Sequence, residues 1–336
     1  MTAVHAILAT FALCAGAPAV TAGAAAGAAA GAAADPAARP AAFHASAGSV
    51  SSPPHGTTGV LLALGDSLAA GYQPTDGTSL PPADPSTGEP DRGYPGGYAE
   101  DLAAHLHLDL LDLACPGETT RSMTSTPARP ACATVYRAEL GASSQLQAAK
   151  TYLARHRGEV RLVTLDVGAN DMLRCITGTK VDFACLAEAE ASVPAAAGRI
   201  AGALHAALLT YDPGARLVAM DYYDPLLALA YRPGGAKGTE DAALSLALFE
   251  SFDRLLTSAY EREHVAVADV ATAFQTGKVV PPLLYAGRLL PRDVAVVCRC
   301  TWMCPSPPST RSPDIHPDDA GYGAIAGAFL KVLGAP

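Results

Sequence analysis

The sequence of 336 residues holds a single tryptophan, and aromatic residues make up only 6% of it. A surface that grips sugar rings by stacking needs aromatic platforms, so composition gives carbohydrate recognition little support. Basic runs are missing too. With 23 Lys and Arg against 32 Asp and Glu the formal charge is −9, which argues against a nucleic-acid surface. There is no His-Glu-x-x-His, no glycine-rich phosphate loop with a Lys, and no dinucleotide fingerprint. After the N-terminal segment no second apolar stretch of membrane length is evident, so no stable membrane insertion of the body is expected.

What is present begins with AVHAILATFALCAGAPAVTAGA, an apolar stretch followed by small residues. It fits a secretory signal peptide (1–24) with cleavage near Ala24. Its n-region has no Lys or Arg, only His5, and an uncleaved membrane anchor is the alternative. Residues 25–58 are Ala-, Gly- and Pro-rich. They offer little bulky apolar surface to offset ordering entropy, so a disordered linker is expected there. Residues 59–336 suit one large domain, and the expected location is extracellular.

Setting Cys14 aside with the N-terminal segment leaves seven cysteines. In an exported chain, close pairs are most simply disulfides, which gives Cys115–Cys132 and Cys175–Cys185. A third bridge uses two of Cys298, Cys300 and Cys304 and leaves one thiol unpaired. Zinc is the alternative for the CRCTWMC cluster, but no Cys-x-x-Cys or nearby His pair completes four ligands. No metal is expected.

Five apolar runs of strand length, GVLLAL (59–64), LDLLDLA (108–114), EVRLVTLDV (159–167), ARLVAMDYY (215–223) and HVAVADV (264–270), are spaced along the domain. Helical patterns at 96–106, 143–156, 194–211, 240–263 and 320–334 fall between and after them. Near-continuous apolar strands alternating with amphipathic helices predict a parallel sheet covered on both faces, a doubly wound α/β sandwich of three layers. Segments 73–95, 115–142, 168–192 and 271–319 read as long loops. Those that leave the C-terminal strand ends form the ligand crevice of such a sheet.

The first run ends abruptly in VLLALGDSLAAGY, placing Ser67 just past a strand. Alone, such a serine most often starts a turn or caps a helix. The other strand ends change its meaning. ACPGETT places Gly117 in a turn on the same rim, DVGANDM places Asn170 there, and PDIHPDDAGYG puts His316 just before the last helix. A serine hydroxyl becomes a useful nucleophile when a base takes its proton and donors face the oxyanion that forms. His316 is the candidate base. The backbone N–H groups of Ser67 and Gly117 and the Asn170 amide are the candidate donors.

These four blocks in this order resemble the SGNH (GDSL) hydrolase family. The stretches LALGDSLAAGY, LACPGETT and DIHPDDAGYGAIA are similar to those of its secreted actinobacterial esterases and lipases, and the likeness runs from about 59 to 334. The resemblance implies a flavodoxin-like three-layer α/β/α sandwich with a five-stranded parallel sheet. It also implies no metal or organic cofactor, and hydrolysis of a small-molecule or lipid ester through a Ser67 acyl-enzyme. One departure stands out. The family's acid sits three residues before the histidine, where this chain has Pro313, and Asp314 stands two before His316. Asp314 is the expected orienter of His316. The Pro313 carbonyl is the alternative, although it stabilises an imidazolium less than a carboxylate does.

The stretches 224–235 and 279–291 are candidate walls of an acyl channel. The same fold also serves polysaccharide O-deacetylation, and a catalytically silent surface-tethered binding module is a reading of another class. Against silence, Ser67, Gly117, Asn170 and His316 are all present. Nothing in the sequence requires more than a monomer.

Overall fold

The computed structural model describes residues 59–74, 96–177, 180–231, 236–304 and 312–335. The expected signal peptide (1–24) and linker (25–58) lie outside the described residues. Along the chain come β1 (Val60–Leu64), α1 (Tyr98–Leu106), β2 (Asp109–Asp112), α2 (Pro130–Val135), α3 (Gln145–Arg155), β3 (Val160–Leu165) and α4 (Ala169–Leu173). They are followed by β4 (Ile176–Thr177), β5 (Lys180–Val181), α5 (Phe183–Tyr211), β6 (Arg216–Met220), α6 (Ala236–Arg262), β7 (Ala266–Ala268) and α7 (Val270–Ala273). The hairpin β8 (Leu283–Tyr285) and β9 (Arg288–Leu290), then α8 (Arg292–Cys300) and α9 (Asp319–Leu333), close the domain.

β1 is buried at every position, as an apolar strand covered on both faces must be. It lies inside a five-stranded sheet of order β2-β1-β3-β6-β7, parallel throughout, with Leu62 opposite Leu111 on one side and Val163 on the other. Helices α1 and α9 pack together on one face, while α3, α5 and α6 pack side by side on the other. This is the expected three-layer sandwich. From β1 the chain moves outward to β2 and then returns past β1 to β3. The connections therefore part company between the C-terminal ends of β1 and β3, which opens a crevice there.

Two segments differ from expectation. Pro194 was expected at the start of a helix, yet α5 begins eleven residues earlier and carries Pro194 inside it. The Asp182 side chain caps the true start by accepting from the Cys185 N–H at 3.0 Å, and Cys185 is bridged to Cys175. At its full length α5 has the size and apolar composition of a membrane span, unlike the shorter helix expected. It packs against α3 and α6 through a face that includes Leu186, Val193, Ile200 and Leu208. Segment 271–319, expected as loop, contains α7, the β8–β9 hairpin and α8. These last two enclose a second, smaller core of Leu290, Val294, Val297 and Met303 that reaches Leu227 and Ile315.

Disulfides join Cys115 to Cys132, Cys175 to Cys185 and Cys298 to Cys304. Cys300 is also disulfide-bonded, and no described cysteine is free. This corrects the expectation of one unpaired thiol among Cys298, Cys300 and Cys304.

Candidate active site

Ser67 stands at the crevice because the turn after β1 is tied from several directions. Gln145 of α3 brackets Gly65, accepting its N–H at 2.7 Å and donating to its carbonyl at 2.9 Å. The Asp66 N–H donates to the Asp166 carboxylate at 2.7 Å, and Asp66 accepts the Leu68 N–H at 2.9 Å. Gly65 has φ +149°, and a Cβ there would meet Asp166 at 2.0 Å. Only glycine lets the strand end pass so close to that carboxylate.

The Ser67 hydroxyl lies 2.8 Å from His316 Nε2. On the far side of the ring, Nδ1 lies 2.6 Å from Asp314 Oδ1. The same oxygen accepts the His316 backbone N–H at 2.9 Å. That second bond explains how an acid two residues away reaches Nδ1: it folds the loop back on itself. Of the two orienters weighed from sequence, the Asp314 carboxylate is the group against Nδ1. The loop is held in turn by residues 300–302, through Trp302 N–H to the His316 carbonyl and Asp314 N–H to the Trp302 carbonyl, each 3.0 Å. The Tyr223 hydroxyl donates to the Ile315 carbonyl at 2.5 Å, and the Tyr72 ring lies 4.4 Å from the imidazole.

Gly117 and Asn170 lie at the same cavity as Ser67 and His316. Gly117 has φ +85°, a conformation that favours glycine. Neither the Ser67 nor the Gly117 N–H has a hydrogen-bond acceptor among the described residues. Asn170 differs: its Nδ2 donates to Asp66 Oδ2 at 3.1 Å and to the Glu118 carbonyl at 3.0 Å. Asp171 next to it accepts from both the N–H and the hydroxyl of Thr120, so the Gly117 and Asn170 loops are fastened to each other.

A model of the GDSL-like lipase/acylhydrolase family matches residues 63–324. The chain belongs to this family. Comparison with curated proteins returned no match. Among solved structures, phospholipase A1 from Streptomyces albidoflavus is 19% identical, with TM-score 0.48 over 82% of this chain and 98% of that one. An extracellular lipase from Streptomyces rimosus is 20% identical, TM-score 0.49, over 82% of this chain and 100% of that one. An acetyl xylan esterase from Geobacillus stearothermophilus is 17% identical, TM-score 0.39, over 82% of this chain and 94% of that one.

In this member of the family the cavity measures about 280 Å³, and its apolar wall includes Leu68, Leu173, Phe249 and Ile315. Of the two stretches expected to line an acyl channel, 224–235 contributes Pro225 and 279–291 contributes nothing. The latter is the β8–β9 hairpin, whose cross-strand pair Leu284 and Leu289 is 61% and 71% exposed. Residues 232–235 lie outside the described residues. Sequence reasoning missed Tyr72, Tyr223 and Arg129, which also line the cavity. Arg129 carried one signal, its place three residues before a bridged cysteine. Among the described residues no group of three or more His, Cys, Asp or Glu side chains is placed to hold a metal.

Behind Ser67 the protein buries several acids, among them Asp66, Glu118 and Asp166. Burial pushes Asp66 up to about 6 and Glu118 up to about 7. It also drives Asp166 well above its ordinary range, with the Asp66 charge adding to the effect. Under β6, burial raises Asp221 and Asp224 to about 7 each. An acid whose folded-state pKa is raised keeps its proton in the native state after the unfolded chain has lost it. Stability is then full below the unfolded value and falls as pH climbs to the folded one. The melting temperature is therefore expected to drop by several degrees between about pH 4.5 and about pH 7. Thermal unfolding followed by circular dichroism at fixed ionic strength checks this, and a Tm that rises across that window contradicts it.

Proposed function

We propose that the protein is a secreted serine ester hydrolase that cleaves carboxylic esters through a Ser67 acyl-enzyme. The observation that carries this reading is the continuous hydrogen-bonded chain from Ser67 Oγ through the His316 ring to Asp314, opening on a cavity with an apolar wall. As Ser67 Oγ attacks the ester carbonyl carbon, His316 Nε2 takes its proton. Asp314 fixes the ring tautomer and faces the imidazolium that results. The oxyanion is received by the Ser67 and Gly117 N–H groups, the two donors with no other acceptor. Asn170 is the third donor, and it serves by sharing or giving up one of its present acceptors. When the tetrahedral intermediate collapses, the alcohol leaves with the proton held by His316. Water then attacks the acyl-enzyme, His316 accepts its proton, and that proton returns to Ser67 as the acid departs. None of these steps calls for a metal or organic cofactor.

The apolar wall supports a lipid or simple acyl ester over a glycan ester. Of the aromatic residues at the cavity, Tyr72, Tyr222 and Tyr223 are 4%, 2% and 4% exposed and Phe249 alone is half-buried, so among the described residues there is no broad open platform for a sugar. The volume is at the small end of the range for ligand sites, which runs from about 300 Å³ upward, and favours short acyl chains. The disulfides support export, and the substrate partner is a small-molecule or lipid ester acted on by a monomer.

The test is a p-nitrophenyl ester panel from acetate to palmitate, with disulfides formed. Turnover with an optimum among the short chains is expected. Turnover of none of them by folded protein would overturn the ranking of simple acyl esters and move attention to acetylated glycans, then to the silent binding module.

A further inference from the structure

Among the described residues, Arg129 is the one Lys or Arg that lines the cavity holding Ser67, Gly117, Asn170 and His316. An arginine in such a place is usually paired with a carboxylate, but Arg129 makes no ion pair among the described residues. Its single recorded hydrogen bond runs from Nε to the Pro116 carbonyl at 3.1 Å, which leaves the terminal nitrogens of the guanidinium unengaged. That bond fixes the side chain beside Gly117, since Pro116 is the residue before it. The backbone is held too. Arg129 lies in the loop closed by the Cys115–Cys132 bridge, and neighbouring Ala128 donates its N–H to Glu118 at 3.2 Å. Burial and the Asp314 charge push the Tyr72 hydroxyl up while the Arg129 charge pulls it down. The guanidinium is thus in electrostatic reach of the Tyr72 ring that lies against His316. A fixed, unpaired cation with donors left over, on a chain of net charge −9, is a receptor waiting for an anion.

We propose that Arg129 selects esters that carry an anionic group, a phosphate or a carboxylate, close to the scissile bond. The inference rests on the ester-hydrolase reading of the same site. Arg129 touches a part of the substrate that does not react, so its contribution is to specificity.

Two matched substrate pairs test it, all below their aggregation concentrations. p-Nitrophenyl butyrate against mono-p-nitrophenyl glutarate adds a carboxylate on the acyl side. Dibutyrylglycerol against dibutyrylglycerol phosphate adds a phosphate on the alcohol side. The wild-type protein is expected to prefer the anionic member of at least one pair by about tenfold or more in kcat/KM. The pair that responds identifies whether carboxylate or phosphate is read. In Arg129→Gln that anionic-to-neutral ratio is expected to fall about tenfold, to near one, mostly through KM, with Arg129→Lys recovering part of it. Raising salt from about 0.05 M to about 0.5 M is expected to shrink the wild-type preference. A wild-type ratio near one in both pairs overturns the proposal while leaving ester hydrolysis standing. So does an Arg129→Gln loss of equal size on both members of a pair, because that outcome makes Arg129 a prop for the Gly117 loop. Failure to turn over any of the four removes the ester reading itself, and this inference with it.

Discussion

Ser67→Ala is expected to lower kcat for p-nitrophenyl butyrate by on the order of 10⁵-fold, with only the residual contribution of the oxyanion donors and binding left. The effect is large because the serine is a covalent partner. Its removal deletes the reaction path, whereas losing one oxyanion donor costs about 3 kcal/mol. Folding is not expected to suffer. Among the described residues the Ser67 side chain bonds only His316, while the turn around it is held by Gln145, Asp66 and Asp166. Two readouts check the expectation: steady-state hydrolysis, and labelling by a fluorophosphonate, which should mark a peptide containing Ser67 in the wild type and nothing in the variant. A variant within tenfold of wild type would mean that another group attacks the ester.

The second large effect is expected at Asp314. In Asp314→Asn the side-chain amide can donate to Nδ1, which leaves the ring proton on Nε2 where Ser67 needs an acceptor. By analogy with other triads the loss in kcat is expected to be about 10³- to 10⁴-fold near neutral pH. Asp314→Ala leaves Nδ1 to water and should lose less than the asparagine variant, although it also frees the His316 N–H that Asp314 now accepts at 2.9 Å. The ordering Asn below Ala is the diagnostic. If the Pro313 carbonyl oriented the ring instead, both variants would stay within about tenfold of wild type, since the tautomer would be set without the carboxylate.

The layers of this fold were legible because buried parallel strands are written as unbroken apolar runs, and each of the five expected runs contains a strand of the sheet. The start of α5 was not, because Pro194 carries a local signal for a helix start that the Asp182 cap and the Cys175–Cys185 bridge override. Segment 271–319 was hidden for a different reason. Its short elements, three residues each in β8 and β9, are too brief to show a period. At the site, the four blocks announced residue types and rim positions. The engagement of Asn170 by Asp66 and Glu118 was invisible, since it joins three loops that only the folded sheet brings together. The same holds for Arg129, whose place depends on a disulfide loop folding back over Gly117. The departure at Pro313 was visible in the sequence. The contact that bears on it, one carboxylate oxygen meeting both the ring and the backbone of His316, was not, because it depends on how the loop folds back.

Ser67 and His316 meet across 249 residues of chain, the one just past the first strand and the other just before the last helix. During synthesis Ser67 leaves the ribosome early, and His316 follows only after every strand of the sheet has been made. An unfinished or prematurely terminated chain that lacks the final loop carries a serine with nothing to activate it. If Ser67 and His316 act as proposed, the order of the blocks works as a timer, withholding activity from the growing chain until α9 has been made.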